Sequence, residues 1–149
     1  MFSLKRLLLQ NIGDFMEKEI LFEGKENATS VNVKDFSPKG AILDITLSGK
    51  INGKALGFIM STHNILMKPD GTSEVDIKSI IFSEGKPIFA WGKATGKVID
   101  PTPIGKIDGT LTFQTPSQKL SDLNTTKGQS EAFFNLATGE YSFKIYAIK

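Results

Sequence analysis

Polar and apolar residues alternate along most of this chain, and the alternation is broken at short intervals by turn residues. From Gly40 to Ile51, Ala41, Leu43, Ile45 and Leu47 fall on one side, and Asp44, Thr46 and Ser48 mostly on the other. A period of two is the mark of a half-buried strand. The same reading gives strands over Glu17–Glu26, Gly40–Ile51, Lys54–Met67, Thr72–Ser83, Pro87–Val98, Ile104–Thr115, Thr126–Leu136 and Glu140–Ile148. Asn52-Gly53, Pro69-Asp70-Gly71, Glu84-Gly85 and Ala137-Thr138-Gly139 separate them. Each supplies glycine or another residue that tolerates the backbone of a tight turn. Pro116 to Leu123 reads as a polar loop with room for one helical turn.

Short connections force consecutive strands to lie side by side and antiparallel. About eight strands in meander order suit an up-and-down barrel better than a flat sheet, with a two-sheet β-sandwich as the alternative. The expected fold is therefore all-β, a single domain over 1–149 with the barrel over 17–148. Before it, Leu4, Leu7, Leu8 and Ile12 recur at helical spacing and predict a short amphipathic helix over 1–13. The apolar run there is too short for a signal-peptide core or a membrane span.

The turns fix faces. A two-residue Asn52-Gly53 loop pairs Ile51 with Lys54, which turns Phe58, Met60, Thr62 and Asn64 into the barrel and His63 out of it. A two-residue Glu84-Gly85 loop pairs Ser79 with Ala90, Ile77 with Gly92 and Val75 with Ala94, all inward. On the reverse face it sets Asp76 against Lys93 and Lys78 against Trp91. The inner side of the fifth strand then carries Ile88, Ala90, Gly92, Ala94 and Gly96. So small a row either lets strands coil tightly or leaves space for a ligand. Outside, Ile80, Phe82, Phe89 and Trp91 form an apolar cluster that calls for a cover, either the N-terminal helix or another subunit.

Composition narrows the chemistry. The 149 residues include no Cys and one His, so disulfides, thiolate nucleophiles and Cys-ligated metals are excluded. No metal site and no cofactor are expected. The lack of Cys and of a signal-peptide pattern suits a reducing, cytoplasmic setting. Net charge is +2, and Arg6 is the only arginine, which argues against nucleic-acid recognition even though Phe89, Trp91, Lys93 and Lys97 alternate on one strand face. Gly92-Lys93-Ala94-Thr95-Gly96-Lys97 lacks the spacing and the following Ser or Thr of a phosphate loop. On the register above, His63 shares its face with Ser61 and Asp44, but a Ser-His-Asp trio on a polar outer face is weak ground for catalysis.

Two segments, Gly105-x-x-x-Gly109-Thr110-Leu111-Thr112-Phe113 and Gly139-Glu140-Tyr141-Ser142-Phe143, resemble strands of the allene-oxide-cyclase type of barrel. In outline the chain is similar to that type and to the lipocalins. The resemblance implies a small eight-stranded barrel. It assigns no active-site residue, and the lipocalin Gly-x-Trp signature is missing. The expected function is binding of a small apolar molecule in the interior. Phe58, Met60, Thr62, Asn64, Ser79, Ala90, Gly92 and Ala94 would form the site. The rivals are a solid-cored interaction protein that oligomerises through Ile80, Phe82, Phe89 and Trp91, and a cyclase- or isomerase-type pocket enzyme.

Overall fold

The computed structural model describes residues 18–148. They form a closed antiparallel barrel in strict chain order: β1 (Ile20–Ser37), β2 (Gly40–Gly53), β3 (Gly57–Met67), β4 (Thr72–Ser83), β5 (Lys86–Val98), β6 (Ile104–Gln114), β7 (Lys127–Asn135) and β8 (Glu140–Ile148). Closure leaves β1 hydrogen-bonded to both β2 and β8. A single 3₁₀ turn, Ser121–Thr125, sits in the loop before β7 and buries Leu123 at one end of the barrel. The sandwich alternative is thereby excluded. The N-terminal helix expected over 1–13 lies outside the described residues. No described helix is long and apolar enough to cross a membrane.

The core is the inner face of every strand. Phe22, Phe113, Phe134, Tyr141 and Phe143 fill its middle, with Ile45, Leu47, Ile59, Ile77, Ile81 and Ile88 around them. Burying a side chain of this size stabilises by roughly 1.5–3 kcal/mol before entropic costs.

The β4–β5 hairpin follows the turn rule. Glu84 and Gly85 have φ of 52° and 76°, as a type I′ turn requires. The pairs Ser79–Ala90, Ile77–Gly92, Val75–Ala94, Asp76–Lys93 and Lys78–Trp91 all form.

The β2–β3 hairpin does not follow it. Ile51 pairs with Gly57 rather than Lys54, a shift of three residues. An odd shift exchanges the faces. Ile59, Ser61, His63 and Ile65 therefore point into the barrel, whereas Phe58 and Met60 are exposed outside, and Thr62 and Asn64 lie on the same outer face. The cause is β1. Asn52 and Gly53 pair with Glu23 and Phe22, and Lys54 N–H donates to the Leu21 carbonyl. Gly53 lies so close to β1 that a Cβ there would stand 2.4 Å from the Leu21 oxygen. The dipeptide extends β2 along β1, and the chain turns only afterwards, with Ala55 tucked inward.

β1 is also longer than expected. It pairs with β8 only as far as Asn27, yet continues beside β2 to Ser37, with bulges after Ala28 and Val33. The far part of the β1–β2 ribbon is thus held to the barrel through β3 alone, with β1 as a free edge, at the end that carries the 68–71, 99–103 and 136–139 connections. Val31, Val33 and Phe36 stay exposed on it, on the side shared with Ile45, Leu43 and Ala41.

Candidate functional site

Reading inward along β1, the side chains that enter the barrel are Phe22, Glu26 and Ala28. Glu26 is the exception in this series: it is 1% exposed and sits in the middle of an apolar interior. β8 sets Tyr141 directly opposite it. β3 and β4 bring Ser61 and Ser79 together as a cross-strand pair, and the next inward pair on those strands is His63 with Ile77. β7 adds Ser130. Five strands therefore place a carboxyl, an imidazole, a phenol and three hydroxyls in one buried region.

The hydrogen bonds are directional. Ser61 Oγ donates to Glu26 Oε1 at 3.0 Å, and Ser61 and Ser79 Oγ are 2.7 Å apart. With its one proton on Glu26, Ser61 can only accept from Ser79. The chain thus runs Ser79 to Ser61 to Glu26. Glu26 Oε2 is buried and has no hydrogen-bond partner among the described residues. His63 meets the Tyr141 ring edge-on, with centroids 5.0 Å apart. Glu26, His63, Ser79, Ser130 and Tyr141 border a cavity of about 20 Å³. That is the room one water-sized atom occupies.

Burial sets the protonation. It raises the Glu26 carboxyl from 4.5 to about 7, with the Ser61 hydrogen bond pulling the other way. It lowers His63 from 6.5 to about 4, so the imidazole is neutral at pH 7. It pushes the Tyr141 phenol well above its usual range, aided by the Glu26 charge and opposed by a hydrogen bond from Ser130. Near neutral pH, Oε2 can therefore offer either a lone pair or, when protonated, a hydrogen.

A second hollow, about 40 Å³ and almost wholly apolar, opens at the ribbon end between Ile65, Met67, Val75, Val98, Phe134 and Leu136. Phe134 and Tyr141, with ring centroids 6.3 Å apart, stand between it and the Glu26 cavity. A broader but open concavity crosses the outside of β1, β2, β7 and β8, bordered by Lys25, Lys50, Lys144 and Phe133. None of the perturbed ionisable groups reaches it.

Of the residues singled out from the sequence, Ser79, Ala90 and Ala94 are buried inside. Gly92 also faces inward, but its missing side chain accommodates β6: a Cβ would lie 1.8 Å from the Thr110 oxygen. Phe58, Met60, Thr62 and Asn64 are outside, and Asn64 Nδ2 donates to Asp44 Oδ1 there. The outward Ser61-His63-Asp44 trio dissolves, because Ser61 and His63 turn inward and Asp44 stays out with Lys34 at 3.4 Å. Glu26 is not among the residues that the turn rules place in the site. Its signal was the alternation Phe22, Gly24, Glu26, Ala28, which places an acid on an otherwise apolar face. Among the described residues no group of three His, Asp or Glu side chains is arranged to hold a metal ion.

No protein-family model and no curated protein matches the chain. Solved structures do share the fold. A protein of unknown function from Clostridium acetobutylicum ATCC 824 superposes with a TM-score of 0.78 at 19% identity, covering 89% of this chain and 99% of its own. A beta-barrel like protein from Acinetobacter baumannii AYE gives 0.76 at 20% identity, covering 89% and 95%. An enzyme from Penicillium herquei gives 0.62 at 22% identity, covering 87% and 92%. The chain is thus similar in fold to small β-barrel proteins, among them proteins of unknown function.

Proposed function

We propose that the barrel interior binds one small, mainly apolar molecule and meets its polar atom with Glu26. The observation that carries this reading is Oε2, a buried carboxyl oxygen with no partner among the described residues, on a side chain that borders a cavity the size of one water molecule. A buried polar group left unsatisfied costs free energy, whereas an apolar residue of similar shape would not. A ligand hydroxyl or carbonyl would satisfy it. The two hollows are far smaller than the roughly 300–1,000 Å³ of ordinary ligand pockets, so entry requires the Phe134 and Tyr141 rings to swing aside. The inner face of β1 marks the route. From the free edge of the β1–β2 ribbon inward it presents Phe36, Val33, Val31 and Ala28, and then Glu26. Ala90 and Ala94 would line the opened space, with Ser79 and Ser61 fixing the carboxyl.

Native mass spectrometry of the purified protein, followed by titration with the neutral apolar dye N-phenyl-1-naphthylamine, tests the reading. A co-purifying small molecule, or dye fluorescence that Ala90→Leu abolishes, is the expected result. A bare protein mass together with no dye uptake would overturn it.

A pocket enzyme is the second reading. Glu26 can both give and take a proton near neutral pH, and one structural neighbour is an enzyme. Glu26→Gln separates the two readings. It keeps a hydrogen-bonding group of the same shape for binding but cannot carry a proton.

A further inference from the structure

The three-residue shift in the β2–β3 hairpin moves Phe58 and Met60 onto the outer wall, and they arrive beside other apolar side chains. Cross-strand pairing sets Phe58 against Phe82 and Met60 against Ile80. It then sets Ile80 against Phe89, and Lys78 against Trp91 one pair further along. Three adjacent strands thus carry one continuous patch of six side chains, with Lys78 as the charge at its margin. Phe58 is 62% exposed, Met60 48%, Phe82 43%, Phe89 41% and Trp91 44%. With side chains of this kind presenting roughly 150–250 Å² each, the patch offers on the order of 500 Å² of apolar surface.

We propose that this patch is the contact surface between two copies of the chain, packed face to face about a two-fold axis. Its area lies toward the upper end of the largest patches on ordinary monomers, about 300–600 Å². With a polar rim it approaches the roughly 800 Å² per partner of a standard stable interface. Its composition is that of an interface centre: aromatics and Met enriched, charge excluded. The patch also suits self-pairing. Phe58 and Phe82 lie on one side of the Met60–Ile80–Phe89 row and Trp91 on the other. A two-fold axis along that row lays Phe58 and Phe82 of one copy over the Thr62–Lys78–Trp91 row of the other, with Phe82 beside Trp91, so each side of the patch meets the opposite side of its copy.

The chain supplies its own reporter, because Trp91 is its single tryptophan. Sedimentation and tryptophan emission of the full chain, from low micromolar to several hundred micromolar, form the test. A dimer mass at high concentration, with a blue shift of emission that follows the dimer fraction, is expected. Met60→Lys and Phe58→Ser point outward, leave the core intact and should each weaken the dimer at least tenfold with unchanged circular dichroism. A monomer at every concentration would overturn the proposal, whether its emission is red, from a patch left in water, or blue, from a patch covered within its own chain. A dimer that neither variant weakens places the interface elsewhere and overturns it equally.

Discussion

Glu26 and His63 make opposite demands on pH. The folded Glu26 carboxyl titrates near 7 against 4.5 unperturbed, so the native state holds the proton more tightly. Stability from this group is fully present below about pH 4.5 and is lost as pH rises toward 7, on the order of 3 kcal/mol in all. The folded His63 titrates near 4 against 6.5, so its contribution is lost as pH falls from 6.5 to 4, by a similar amount. Between 4.5 and 6.5 the two slopes cancel. Wild-type stability, measured by urea unfolding, should be nearly flat across that window. Glu26→Gln should instead lose stability on acidification, at roughly 1.4 kcal/mol per pH unit. His63→Gln should gain stability on acidification with about the same slope. Ser61→Ala removes the one hydrogen bond that lowers the Glu26 value, so the loss of stability that sets in above the window should continue to higher pH than in the wild type.

At the scale of elements, the hairpins show what a turn motif can and cannot specify. Glu84-Gly85 has no competing partner, and nothing stands within 4 Å of a Cβ placed on Gly85, so the turn sets the register by itself. The barrel, eight strands in meander order, followed from short connections and the period of two. Asn52-Gly53 carries the stronger turn motif, yet β1 claims it as pairing partner, and no local rule could announce that. The site is hidden for the same reason: the slipped hairpin conceals Ser61 and His63 from local rules, and the continuation of β1 past Glu26 conceals the carboxyl. Alanine at the two glycines should expose the difference. Gly85→Ala carries only the backbone penalty of a left-handed residue, roughly 1–2 kcal/mol. Gly53→Ala adds a collision with the Leu21 carbonyl, and calorimetry should show a clearly larger fall in Tm.

For the whole molecule, closure is what makes both surfaces usable. It packs the interior tightly enough to perturb Glu26, and it gives the outer wall the regular rows on which the aromatic patch rests. Past Asn27, β1 has no second neighbour, so amide hydrogens along the free edge of residues 29–37 should exchange fastest within the described strands. Mass-resolved hydrogen exchange would show this. The seam between β1 and β8 has a different consequence. Ile20 must find Tyr146, and Asn27 must find Glu140, across more than a hundred intervening residues. Every other neighbouring pair of strands is joined by a connection that closes early. Loop-closure entropy must be met before the seam rewards it, which makes the zipping of first strand to last the natural late step of folding. Until then the meander β1 to β8 is an open sheet with raw edges at both flanks. A growing chain therefore passes through its most aggregation-prone form just before β8 meets β1, and substitutions confined to the seam should speed unfolding while leaving the early folding rate unchanged.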